Sequence, residues 1–156
     1  MIYHASLWFH IIGITLLAGT TVVDFVLTRR FWTFYAKDNQ AGILIRKLTD
    51  KLPLLIVAGI VLTLLSGVGM MTILHAVVGA MLWFRIKMGL VLIAILNGII
   101  VGRRLNTRLN KLLVSAGTQS ANEGTLNQVK KNLQLFHLTQ LTIFFIIFFL
   151  SAFKFN

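Results

Sequence analysis

The chain has 156 residues, 57 % of them hydrophobic, and its net charge of +11 comes from 15 Lys and Arg against four acidic side chains. That length and hydrophobicity leave room for one apolar domain and no separate soluble one, and the lack of cysteine excludes disulfides, thiolate metal sites and iron–sulfur clusters. The positive charge does not read as nucleic-acid binding, because it collects in two connections between apolar runs.

The apolar runs cover residues 5–28, 54–74, 80–101 and 133–153. Each is about 20 residues or more, the length that crosses a hydrocarbon core about 30 Å thick. The N-terminal MIYHASLWFH has neither the basic start nor the cleavage site of a secretory signal, so the first run is read as a retained helix. The connection over residues 29–53 is amphipathic and extends the first helix past the headgroups. Asp50 ahead of Pro53 predicts a cap and a first-turn proline for the second helix. On that helix Gly59, Thr63, Ser66, Gly67 and Met70 share a face of mostly small residues, which predicts close approach of a neighbouring backbone. The short apolar connection near Gly79 predicts a tight hairpin with the third helix. Residues 105–113 keep helical spacing until SAGTQSANEGT breaks it. Capping-box spacing at Ser120 with Glu123, and at Thr125 with Gln128, starts the fourth helix near residues 121–126.

The first connection carries Arg29, Arg30, Lys37, Arg46, Lys47 and Lys51, and the third carries Arg103, Arg104, Arg108, Lys111, Lys130 and Lys131. The positive-inside rule makes that side cytoplasmic. The expected fold is all-α: a single integral-membrane four-helix bundle over residues 1–156, with helices about 5–28, 54–74, 80–104 and 126–153. Both termini lie outside and both basic connections lie in the cytoplasm. The expected setting is a lipid bilayer, the bacterial inner membrane.

Ionisable side chains within the apolar runs are functional candidates, because a bilayer makes them costly. His10 lies in the first run, and Leu17, Thr21, Asp24 and Thr28 follow on nearly the same helical face. His10 suits an interhelical hydrogen bond, a haem or metal ligand, or a proton relay. Asp24, about 21 Å further along, is expected to pair with Arg29 or Arg30. Arg85 and Lys87 follow Trp83 at about the depth of His10 and lie about 200° apart around their helix, so at least one points into the bundle. Cations there suit the carboxylates of a porphyrin or another anionic substrate. His75, in the outer connection, is placed to approach His10 as a second metal ligand. His4 is at the outer rim, and His137 is read as a capping or snorkelling side chain. No G-x-G-x-x-G, P-loop, H-E-x-x-H or G-x-S-x-G is present, so any catalysis falls to a bound cofactor.

Leu7-Trp8-Phe9-His10-Ile11 with Leu17-Ala18-Gly19 resembles the first helix of the HemJ-type protoporphyrinogen IX oxidases and their CopD-like relatives. Trp83-Phe84-Arg85-Ile86-Lys87, then Leu90-Val91 and Gly102-Arg103, resembles their third helix, and Leu135-Phe136 through Lys154-Phe155 is similar in layout to their last. The resemblance implies a small haem b-binding bundle, often homo-oligomeric, that oxidises protoporphyrinogen IX and passes electrons toward a respiratory acceptor. By position it implies His10 as the haem ligand, with Arg85 and Lys87 as the catalytic and cofactor-binding basic pair beside Trp83. Two features depart from the family. Leu96-Asn97-Gly98 stands where the third helix often carries histidine, and the last helix lacks Glu and Pro around residues 139–142. The leading expectation is a haem-linked membrane oxidoreductase. The expectation from another class is a non-catalytic membrane carrier or accessory subunit, with His10, Thr21 and Asp24 as a polar path or interhelical lock.

Overall fold

Apolar runs free of internal proline fold as long, nearly unbroken helices. The computed structural model describes residues 1–78, 81–116 and 123–153, with side chains at all of them except 74–78, 115, 116 and 123. The helices are α1 (Ile2–Tyr35), α2 (Asn39–Thr49), α3 (Leu52–Val78), α4 (Leu82–Leu96), α5 (Arg103–Ala116) and α6 (Glu123–Phe153), with a π-turn at Asn97–Gly102 joining α4 to α5. Four stretches, α1, α2–α3, α4–α5 and α6, are long and apolar enough to cross a membrane. The protein is an all-α four-helix membrane bundle.

The helices outrun the expected spans. α1 has 34 residues, about 51 Å at 1.5 Å per residue, so about 20 Å of it stands beyond a hydrocarbon core. Part of that excess, from about Arg29 onward, lies at the basic end. There Phe31 and Trp32 of α1, Leu105 and Leu109 of α5, and Val129 and Leu133 of α6 form a buried cluster. The first connection is therefore not one extension of α1. The chain turns at residues 36–38, and the Asp38 carboxylate accepts from the backbone N–H of Gln40 at 2.9 Å, capping a separate α2. Asp50 does not cap α3. Its backbone is helical (φ −60°, ψ −28°) and closes α2, whereas a cap needs an extended residue. Arg46 ties α2 to α5, donating to Asn106 Oδ1 at 3.0 Å and Asn110 Oδ1 at 3.1 Å.

The small-residue face of α3 meets α1 as the sequence predicts. A Cβ built on Gly13 would sit 2.8 Å from the Thr63 backbone nitrogen, and one on Gly59 would sit 2.9 Å from that of Leu17. Gly69 lies against Ser6. The pairings Leu17–Gly59, Gly13–Thr63 and Ser6–Gly69 fix the register of the antiparallel pair. On the other side α4 packs on α6, with Ala94, Ile143, Phe144 and Ile147 buried at mid-membrane and Leu17 of α1 resting on them.

The π-turn sets the direction of α5. In an uninterrupted helix the inward direction of Ala94 would pass through Val101 and Arg108, seven and fourteen residues on. The wider π-turn shifts that phase. Gly102 and Leu109 are buried beside Leu105, and Arg108 is turned out with Arg103 and Arg104. The Asp24–His137 and Asn97–Gln140 pairings bring Arg29–Arg30, Arg103–Arg104 and Lys130–Lys131 to within about one helical turn of a common level.

Candidate functional site

Two polar layers lie inside the apolar spans. The first, in the half far from the basic end, is built on His10. Its Nδ1 is 3.0 Å from the Thr63 carbonyl oxygen and 3.0 Å from Ser66 Oγ on α3. A carbonyl only accepts, so Nδ1 carries the hydrogen and donates it. Ser66 directs its own hydroxyl hydrogen to the Leu62 carbonyl at 2.6 Å, leaving its oxygen free to accept from the ring. The glycine at 67 lets the imidazole lie flat on α3, since a Cβ there would sit 3.5 Å from His10 Cε1. This bonding fixes the tautomer. In the neutral ring Nε2 keeps its lone pair, and it makes no hydrogen bond among the described residues.

α4 brings Lys87 to this layer. The side chain is half-buried, and its charge acts on the His10 ring. Arg85 is exposed, as the 200° between the two positions requires. Trp83 is buried and donates its indole N–H to Met81 Sδ at 3.1 Å. The structure thus sets Lys87 on the same level as His10, within range of its charge, with Trp83 a turn away on α4 and Arg85 exposed. His75 belongs to α3 rather than to a connection. The α1–α3 register sets residue 75 level with the start of α1, about 13 Å from the level of His10, and its side chain lies outside the described residues. His4 is exposed and packs edge-on to Tyr3. Among the described residues, no three His, Cys, Asp or Glu side chains converge on a point that would hold a metal ion.

Thr63 contributes its carbonyl, while its hydroxyl is buried against Gly13 without a hydrogen-bond partner among the described residues. Thr63→Val keeps the shape and the carbonyl and removes the unpaired group. It is expected to stabilise the protein by about 1 kcal/mol in thermal unfolding, and a loss of stability would mean that the hydroxyl is satisfied in the membrane.

The second layer lies nearer the basic end. His137 Nε2 is 3.1 Å from Asp24 Oδ2, with side chains 3 % and 18 % exposed. This corrects two expectations from the sequence, the pairing of Asp24 with Arg29 or Arg30 and the reading of His137 as a cap. Neither arginine shares the Asp24 face, being five and six residues on, and the Arg29 guanidinium lies 5.5 Å from the Phe25 ring instead. His137 Nδ1 donates to the Leu133 carbonyl at 2.8 Å. With Nδ1 committed as donor, a short contact between Nε2 and a carboxylate oxygen needs one further shared proton. The pair is imidazolium with carboxylate, or imidazole with carboxylic acid, and its net charge is zero either way.

Gln140, one turn along α6, donates to the Ala94 carbonyl at 3.2 Å and accepts from Asn97 Nδ2 at 3.0 Å. Asn97 opens the π-turn, so this amide pair anchors α4 to α6 where the helix widens. Thr20, Thr21 and Thr28 of α1 are buried, and Thr21 donates to the Leu17 carbonyl at 2.8 Å. The sequence does carry a signal for this layer: His137 and Gln140 fall three apart on one face of α6, opposite the polar seam of α1.

No family model matches the chain, and no curated protein and no solved structure matches it.

Proposed function

We propose that this chain is a haem b-binding membrane oxidoreductase, in which His10 Nε2 would bind the iron and Lys87 would pair with a porphyrin carboxylate. The observation that carries this reading is the Nδ1 bond of His10 to the Thr63 carbonyl. Metal-bound histidines almost always make this outer bond, which orients the ring and raises the basicity of the other nitrogen. A single imidazole also suits haem, whose macrocycle supplies four ligands, better than a bare ion needing several side chains. Haem, when bound, supplies one-electron chemistry. The protein's share is to hold Nε2 at a fixed angle, to meet an anionic edge with the half-buried Lys87, and to exclude water with apolar walls.

Oxidation of protoporphyrinogen IX, with electrons passed to a respiratory acceptor, is the reaction favoured by the motifs around His10 and Trp83–Lys87. Asn97 bonded to Gln140 occupies the place of a family histidine, so the reaction route differs from the family's at that point. The basic end is assigned to the cytoplasm on the bias of Lys and Arg, and the protein to the bacterial inner membrane on the family resemblance alone.

The Asp24–His137 pair favours a second reading, a non-catalytic carrier or accessory subunit in which the buried layer is a polar path or a lock between α1 and α6. Visible spectra of detergent-purified protein from haem-replete cells separate the two. The oxidoreductase gives a Soret band and sharpened b-type bands on dithionite reduction. A colourless protein would overturn the haem reading and leave the carrier.

A further inference from the structure

We propose that the outward face of α5 binds the headgroup of an anionic phospholipid, and that the spacing of its charges suits a headgroup with two phosphodiesters. An open groove runs along this face, bordered by Ile99, Ile100, Arg103, Arg104, Arg108 and Lys111. These positions recur at intervals of three and four and so form one stripe, opposite the buried Leu105 and Leu109. The stripe is graded. Ile99 and Ile100, 55 % and 44 % exposed, lie inside the apolar span and offer a surface to acyl chains. The first cations follow within one turn, at the level where the basic pairs of α1 and α6 also stand.

From residue 103 to residue 108 the helix rises about 7.5 Å, enough for two neighbouring phosphates and more than one phosphate spans. The chain's four acidic residues, Asp24, Asp38, Asp50 and Glu123, all lie outside α5, so no carboxylate on this helix competes. Arg46, by contrast, is engaged with Asn106 and Asn110 on the flank of the same helix that meets α2. The outward turn of Arg108 follows from the π-turn, which removes it from the bundle face, whereas Arg103 would point outward in an uninterrupted helix as well. The occupant is a lipid rather than free phosphate. The groove is open to its surroundings, so an isolated phosphate there keeps its hydration and gains little, whereas a bilayer lipid arrives with its chains against the isoleucines. Basic patches at this level of a membrane protein recognise such headgroups.

The test uses the full chain in mild detergent and follows thermal unfolding by tryptophan fluorescence with added cardiolipin, phosphatidylcholine or inorganic phosphate. Cardiolipin is expected to raise the midpoint of the wild type by about 5 °C or more, with no comparable effect of the other two. Arg103→Gln/Arg104→Gln/Arg108→Gln is expected to lose most of that shift, while the charge-matched Lys37→Gln/Lys47→Gln/Lys51→Gln, three exposed lysines on other elements, keeps it. Arg104→Gln alone, an exposed change that leaves the packed face intact, gives the same loss at smaller size should the triple variant not fold. An equal loss in the lysine variant would reduce the effect to net charge and overturn the site. So would an undiminished shift in the arginine variants, or a shift reproduced by inorganic phosphate.

Discussion

His137→Leu is expected to destabilise the protein by about 3–5 kcal/mol, and Asp24→Asn by less than about 2 kcal/mol. The first change removes the hydrogen-bond partner of the Asp24 carboxyl, which is 18 % exposed and feels the more distant charge of Arg46. Removing one member of a buried pair has an effect of that size where the pair is imidazolium with carboxylate, because the charge left behind loses its partner. The second change leaves no charge behind. His137 still donates through Nδ1 to Leu133, and the amide that replaces the Asp24 carboxyl can donate to Nε2 of the neutral ring, so the interhelical bond survives. Asp24→Leu/His137→Leu should recover most of the loss, because apolar pairs of similar volume replace buried ion pairs at little expense. Unfolding of the four proteins in one detergent gives the coupling directly. Equal and small effects of both single changes would show that water reaches the pair and that it holds nothing together.

Gly59→Leu should be more damaging than its exposed neighbours suggest. The Cβ alone would lie 2.9 Å from the Leu17 backbone nitrogen and 3.0 Å from Leu17 Cα, and a helix backbone cannot move aside as a side chain tip does. α1 and α3 must separate, which forfeits packing along the whole pair and draws Thr63 and Ser66 away from His10. A loss of about 3 kcal/mol or more is expected, at or above the usual range for overpacked cores. Gly89→Ala is the control: nothing lies within 4 Å of a Cβ there, and the gain in helix propensity should stabilise by about 0.5–1 kcal/mol. A wild-type midpoint for Gly59→Leu would mean that the α1–α3 contact is looser than its geometry.

The spans were legible because hydrocarbon thickness imposes a length on apolar runs: α1, α3 and α6 each contain their predicted run, and the third run continues from α4 through the π-turn. The glycine and serine face of α3 was legible for a similar reason, since small residues at helical spacing have one common use in a bilayer. The break at residues 36–38 was not, because residues 29–53 are amphipathic throughout and only the Asp38 cap distinguishes two helices from one. The π-turn escaped as well. Its residues, Asn97–Gly102, look like ordinary apolar helix, and the phase shift becomes visible only when Leu109 rather than Arg108 is found buried. At the site, periodicity put His10 and Asp24 on one seam and Lys87 near the depth of His10. It had no means of choosing the partner of Asp24, because the contact with His137 spans 113 positions and depends on how α1 crosses α6.

The central claim is that the Nε2 lone pair of His10 is a ligand position. It is tested most directly by visible spectra, oxidised and dithionite-reduced, of the wild type, His10→Ala and Asp24→Asn purified side by side. The account predicts a Soret band and reduced b-type bands in the wild type and in Asp24→Asn, and their loss in a folded His10→Ala. Full retention of the bands in His10→Ala would contradict it, as would their loss in Asp24→Asn alone, which would move the cofactor to the layer nearer the basic end.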